Sequence, residues 1–406
     1  MRLLMLMPSL PYPPHQGGAL RNYGLLHGLS TAGHDITLLC FHDHSPPVES
    51  TPLAHLCQDI RTVPLPPPRP ARRRMSDLIA SGEPDLARRL QNRAFDEQLS
   101  VLLAGQPFDV VQFEGLEMAG WLWQVRAAQP RARLCYDAHN AEYTLQHAIY
   151  AVDRRSPRRW PAAAYSLIQS RRILAFEREV CQQVHCVLAV SDEDADALRP
   201  FRPDGCVHVI PNGIFVGDYI DSGEQLDLGQ HALVFTGKMD YRPNVDAMLW
   251  FTESVLPHVQ RAVPAARLYI VGQRPHPRLE RLREKPGVFI TGWVETVQPF
   301  LRAAAVYVAP LRMGSGTRLK ILEAMAAGCA VVATRAAAVG LPPAVTDALT
   351  LANDGGDMTA AITALLNDPA RRAKLGRSAQ EVVIQHYDWA ILIPRLLAAY
   401  KDCGFG

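Results

Sequence analysis

Short apolar runs alternate along the chain with longer stretches in which apolar residues recur every three or four positions. Residues 3–7 are continuously apolar, the mark of a strand covered on both faces. A helical spacing starts near Ala19 and continues through Leu25, Leu26 and Leu29, and residues 36–41 are apolar again. The pattern predicts further strands over 110–113, 134–137, 186–190 and 207–210, with helices through Trp121 and Trp123 and over 162–181. A Gly- and Asp-rich tract at 215–231 interrupts it. It then restarts, with strands expected over 232–236, 268–271, 289–294, 306–310 and 330–334, and ends in a helical tract over 379–401. Strands alternating with helices predict an α/β fold of doubly wound parallel sheets. A chain of 406 residues exceeds one ordinary core, so the restart marks a second domain.

The densest chemistry lies after the strand at 306–310. Gly314 and Gly316 free the backbone to bend and leave room for a ligand. Thr317 suits an N-cap, and the free N–H groups of a helix start favour an anion. Arg318 and Lys320 place two cations in the first turn, where the helix dipole disfavours them unless something negative is bound. A diphosphate supplies that charge. Glu323 is placed to accept hydrogen bonds from two vicinal hydroxyls, such as those of a ribose. The competing reading is an ordinary crossover. In it Leu319, Leu322 and Met325 form the buried stripe, and Lys320 and Glu323 are a surface pair.

This segment, G-S-G-T-R-L-K-x-L-E-A-M-A, resembles the donor-binding segment of family 4 glycosyltransferases of the GT-B fold. The family carries two glutamates eight positions apart; Glu323 matches the second, and Ser315 stands at the first. Asp137-x-His139-Asn140-x-Glu142 resembles the family's D-x-H-N-x-E segment, whose histidine faces the donor sugar. The sequence from Val209 to Gly213 resembles its V-x-P-N-G segment, and Gly17-Gly18 a glycine loop that lines the family's interdomain cleft. The resemblance further implies that Lys238 and Arg242 clamp the donor diphosphate, although type and spacing there are not a clean match. It also implies that the backbone near Val294 meets the nucleotide base.

Taken together, the resemblance implies two Rossmann-like domains facing a cleft. Residues 1–211 form the acceptor side, 232–380 bind a nucleotide diphosphate sugar, and 381–406 return to the first domain as a helix. The implied reaction is sugar transfer to an acceptor hydroxyl with retention, in polysaccharide, cell-envelope or glycolipid synthesis. Arg318, Lys320 and the helix start neutralise the leaving diphosphate, and His139 orients groups around the sugar. No cofactor and no metal is then required. Asp194-x-Asp196 does not read as a metal motif, because Ser191 followed by acids reads as an N-cap with a first helical turn. Two other classes stay open: a nucleotide-sugar epimerase of the same fold, and a nucleotide-sugar-binding protein without turnover.

Composition adds bounds. The net charge of +2 provides no global field for nucleic acid. Basic residues nonetheless cluster locally: eight Arg against three acids over 61–93, and seven Arg against Glu177 over 154–178. These runs read either as solvated faces or as contacts to an anionic membrane or a phosphate-bearing lipid acceptor. Eight cysteines without a C-x-x-C pair read as buried thiols of a reducing compartment. No apolar run reaches the length of a membrane span. The expected location is cytoplasmic, with peripheral contact to the inner membrane face as the further possibility.

Overall fold

The computed structural model describes residues 1–405, apart from 15–16, 44–45, 155–156, 221–222, 224–225 and 314–318, and leaves aside the side chains of 71, 79, 152 and 157. The chain forms two compact units, Met1–Gly213 with Leu392–Gly406, and Ile214–Ile391.

The first unit is built on seven strands: β1 (Arg2–Met7), β2 (Asp35–His42), β3 (Asp59–Pro64), β4 (Val110–Glu114), β5 (Arg133–Ala138), β6 (Cys186–Ala189) and β7 (Val207–Val209). They lie in the order β3-β2-β1-β4-β5-β6-β7, and every pair is parallel. Leu3 to Met7 are fully buried, because β1 lies inside the sheet and helices cover both faces. β3 carries no clear sequence signal. It is an edge strand with mixed burial and ends on Pro64, whose missing N–H is tolerated only at an edge. The helix Gly17–Thr31 starts two residues before the expected point, so the two glycines open the helix rather than end the loop. Residues Leu392–Gly406 anchor to this unit through buried Tyr400 and Phe405, which stack at 4.9 Å.

The second unit holds β8 (Ala232–Thr236), β9 (Arg267–Val271), β10 (Val288–Gly292), β11 (Val306–Ala309), β12 (Ala330–Thr334) and β13 (Thr350–Ala352). Their order is β10-β9-β8-β11-β12-β13, again all parallel. β13 was also not legible in the sequence: it is three residues long and half-exposed at the sheet edge.

In each sheet the strand order reverses once, at β1/β4 in the first and at β8/β11 in the second. Parallel sheets bind ligands outside the carboxyl ends of the strands at such a reversal. The loops leaving β1, β4, β8 and β11 are therefore the positions that matter.

Candidate functional site

In the first unit, four charged side chains meet at the carboxyl ends of β4 and β5. Arg21 lies on the buried stripe of its helix, one turn before Leu25 and two before Leu29. Its guanidinium takes both oxygens of Asp137, Nε to Oδ2 at 2.7 Å and Nη2 to Oδ1 at 2.6 Å. Its remaining nitrogen, Nη1, donates to the Ile210 carbonyl at 2.7 Å and to Asn212 Oδ1 at 3.2 Å. Arg21 thus ties the D-x-H-N-x-E segment to the V-x-P-N-G segment. Both Arg21 and Asp137 are buried, so the pair is a bidentate bond out of water. Burial works against the charge of Asp137, but Arg21 outweighs it and holds the carboxyl below its usual range.

His139 is half-buried beside this pair. Its Nε2 lies 3.3 Å from Glu114 Oε2 and 3.9 Å from Asp137 Oδ2. Gly18 sits against the other side of the ring, and a Cβ on Gly18 would be 3.9 Å from Nδ1. Burial, followed by repulsion from Asp137, pushes the Glu114 carboxyl up to about 7. Burial disfavours a charged His139, yet Glu114 and Asp137 prevail and raise it above the ordinary histidine value. Both shifts favour a proton held between Glu114 and His139. Glu114, Asp137 and His139 each offer a ligand atom within 4.8 Å of the others, close enough to bracket a cation. A cation is already in place, because Arg21 occupies both oxygens of Asp137.

Elsewhere in this unit the D-x-D pair is absorbed by helix capping. Ser191 accepts from the Asp194 N–H, and Asp194 accepts from the Ala141 N–H at 2.8 Å. Asp196 pairs with Arg199. The two basic runs also meet. Arg74 donates to Tyr165 at 3.0 Å, and Arg172 donates to the Leu78 carbonyl at 2.6 Å. Arg69 bridges Asp77 and Asp85. Much of the run charge is thus spent inside the fold, while Arg72, Arg73, Met75, Arg158 and Trp160 stay exposed.

In the second unit, β8 leads into Gly237, Lys238 and the helix Arg242–Ser254, with Pro243 in its first turn. Gly237 and Gly272 pack backbone against backbone. A Cβ on Gly272, whose φ is +151°, would lie 1.8 Å from the Gly237 carbonyl oxygen. That contact brings the ends of β8 and β9 together. Lys320 reaches the same place: its Nζ donates to Asn244 Oδ1 at 2.7 Å and lies 4.6 Å from the Phe235 ring centre. Asn244 in turn donates to the Lys238 carbonyl at 2.8 Å.

Glu323, one turn beyond Lys320, is half-buried, so the surface-pair reading does not hold. Tyr219 donates to its Oε1 at 3.0 Å, and burial raises the carboxyl above its usual range despite Tyr219 and Lys320. Lys238 is half-buried in the loop after β8, Arg242 is exposed at its helix start, and Val294 is half-buried after β10. Gly314, Ser315, Gly316, Thr317 and Arg318 lie outside the described residues.

The structure thus gathers His139 with Gly18 in one unit, and Lys320 with the Gly237–Lys238 loop in the other. Sequence reasoning missed Arg21, Glu114, Asn244 and Tyr219 as members of these clusters. Two of them carried a signal: Arg21 is a charge on an apolar stripe, and Glu114 is an acid closing a strand whose sequence is mostly apolar.

Two family models match the chain, one described as Glycosyltransferase Family 4 over residues 16–216 and one as Glycosyl transferases group 1 over residues 230–368. A phosphatidyl-myo-inositol mannosyltransferase of Mycolicibacterium smegmatis is 30% identical over 203 residues, which cover 47% of this chain and 51% of that protein. The match thus spans about half the length of that relative. Among solved structures, sucrose-phosphate synthase from Thermosynechococcus elongatus aligns with a TM-score of 0.70 at 18% identity, over 99% of this chain and 98% of that one. HepE of Anabaena, solved with UDP and glucose, aligns with a TM-score of 0.63 at 15% identity, over 99% of both chains. At these identities the likeness carries the fold alone, and that fold is GT-B.

Proposed function

The chain belongs to the family 4 glycosyltransferases, and on that premise we propose that it moves a sugar from a nucleoside diphosphate sugar to an acceptor hydroxyl, with retention and without a divalent metal. The observation that carries this reading is the position of Lys320 and Glu323 beside the β8/β11 reversal. An ammonium group there suits a diphosphate, and a carboxylate one turn on suits a ribose. Lys320, with Arg318, Thr317 and the Gly314 and Gly316 backbone, is the proposed diphosphate site. Neutralising the leaving diphosphate is the main catalytic contribution. Lys238 and Arg242 add positive charge, Val294 borders the base, and His139 orients the sugar with Gly17 and Gly18 beside it. Arg21 supports the metal-free reading, since it supplies the cation that the acid cluster would otherwise recruit.

The acceptor we propose is a carbohydrate or a lipid-linked hydroxyl, in line with the lipid for which the mycobacterial relative is named. No described helix is long and apolar enough to cross a membrane. Exposed Arg72, Arg73 and Arg158, with Met75 and Trp160, support peripheral contact with an anionic cytoplasmic leaflet.

One observation favours a second reading. The buried Glu114 and the half-buried His139 form an acid–base pair, which a nucleotide-sugar epimerase needs. A single assay separates the readings: the full chain is incubated with UDP- and GDP-sugars in EDTA, with and without lipid and saccharide acceptors. Transfer releases nucleoside diphosphate and depends on an acceptor. An epimerase forms a new nucleotide sugar without one. Nucleotide binding with neither product leaves a silent binding protein.

A further inference from the structure

The Glu114 carboxylate is held from several sides. Its Oε1 accepts from Gln112 Nε2 at 2.6 Å. The carbonyl of Gln112 accepts in turn from the Tyr400 hydroxyl, which arrives from the last helix of the chain. Its Oε2 faces His139 Nε2 at 3.3 Å. In the orientation that satisfies its hydrogen bonds, the Asn22 amide nitrogen lies 3.1 Å from the same oxygen, 3.3 Å from the Gly18 carbonyl and 3.3 Å from His139 Nε2, and its two hydrogens suffice for the two oxygens. Glu114, Gln112, Asn22 and Tyr400 are all buried. A polar chain this well satisfied fixes the position of its terminal member.

That terminal member is His139. With Nε2 facing Glu114, the ring turns Nδ1 towards Gly18. We propose that Glu114 is a positioning residue that keeps a proton on His139 Nε2, so that Nδ1 is the nitrogen offered to the bound sugar. A carboxylate behind a histidine fixes both the tautomer and the ring plane of the imidazole. The charged groups around the pair are Arg21 from the first helix, Asp137 from β5, Glu114 itself from β4 and Glu142 from the start of the helix Glu142–Asp153. The titratable Tyr400 and Cys135 also feel Glu114. Arg21 spends its charge on Asp137, which leaves Glu114 as the group that bonds His139. The inference rests on the reading of His139 as the residue that meets the sugar, and its test reads the histidine before any substrate is added.

The test is a pH titration of the full-length, ligand-free chain labelled with ¹⁵N-histidine, followed by NMR. In the wild type, the His139 midpoint should lie above the ordinary histidine value, and its neutral form should carry the proton on Nε2. Glu114→Gln keeps the shape and removes the charge, and should lower the midpoint by about one pH unit or more. Glu114→Asp keeps the charge but withdraws it by one methylene, and should fall between the two. In kinetics, Glu114→Gln should lower kcat by about 10- to 100-fold, with little change in donor KM and a shifted acid limb. A wild-type His139 that titrates at or below the ordinary value, or carries its neutral proton on Nδ1, overturns the proposal without any variant having to fold. An unchanged midpoint in folded Glu114→Gln overturns it as well. A chain with no transferase activity but with these titrations intact would instead count against the proposed function alone.

Discussion

Tyr219 donates its phenolic hydrogen to Oε1 of Glu323 at 3.0 Å, so one of the two carboxylate oxygens is already engaged within the second unit. Tyr219 is buried on the helix Gly217–Ile220, in the Gly- and Asp-rich tract that interrupts the strand–helix pattern. The bond orients the carboxylate, and among the described residues it is the hydrogen bond that Glu323 accepts with its side chain.

Glu323→Gln should therefore weaken binding of the preferred nucleoside diphosphate about ten- to a hundredfold, the loss of charge-assisted hydrogen bonds. Tyr219→Phe should weaken it less, because the carboxylate remains and only its orientation is freed. Isothermal titration of both variants checks the order. Equal affinities in wild type and Glu323→Gln would remove Glu323 from the nucleotide site.

The contact between Gly272 and Gly237 gives a prediction about folding. A Cβ on Gly272 would meet a backbone carbonyl oxygen at 1.8 Å, and that atom has no rotamer through which to escape. Gly272→Ala should cost upwards of about 3 kcal/mol. Gly292 also has a positive φ, +75°, but nothing lies within 4 Å of its Cβ position. Gly292→Ala should cost only the local strain, about 1–2 kcal/mol. Urea unfolding of the pair measures the difference, and similar losses in both would show that the β8–β9 ends can part.

Much of this architecture was legible because parallel strands buried on both faces leave continuous apolar runs. That pattern located β1, β2, β4, β5, β8, β11 and β12, while the order of the strands, and so both reversal points, comes from the folded sheets. β3 and β13 escaped because edge strands are half exposed and their residues mix polar with apolar. The site divided along a similar line. His139, Lys320 and Glu323 stand in local motifs, and their spacing alone marks them. The partner of Arg21 is 116 residues away, and that of Tyr219 is 104 residues away. No window of sequence contains either pair, so only the folded sheet reveals that these charges and hydroxyls are committed.

Arg21 and Asp137 make a prediction of their own. Arg21→Met leaves a buried carboxylate without its cation and should cost about 3–5 kcal/mol. Adding Asp137→Asn to that variant removes the stranded charge and should restore part of the loss. Denaturant melts of the two singles and the double close the cycle. Strictly additive losses would mean that the pair is not coupled, contrary to its two short bonds.

The pH dependence of stability has an identifiable source in Glu177, a fully buried carboxyl on the helix Trp160–Gln183. It accepts from the N–H groups of Glu142 and Tyr143 at 3.1 and 3.0 Å, at the start of the helix Glu142–Asp153, and from the Tyr136 hydroxyl at 3.0 Å. Those three donors favour the carboxylate, but burial opposes it more strongly and pushes the group from 4.5 up to about 7. The sign follows from which state binds the proton more tightly. The folded chain holds it up to about pH 7, whereas the unfolded chain releases it near 4.5. Protonation of Glu177 therefore adds stability that is fully present below about pH 4.5 and is lost as pH rises through about 7. Between pH 5.5 and 8 the lost contribution amounts to about 2 kcal/mol. Glu177→Gln keeps an acceptor for the helix start and has no proton to lose. Guanidinium melts at the two pH values should show the wild type losing about 2 kcal/mol more than Glu177→Gln as pH rises. Comparing the two proteins cancels the contribution of Glu114, which titrates in both. If wild type and variant lose stability in parallel, Glu177 is ionised throughout and its three donors, rather than burial, set its charge.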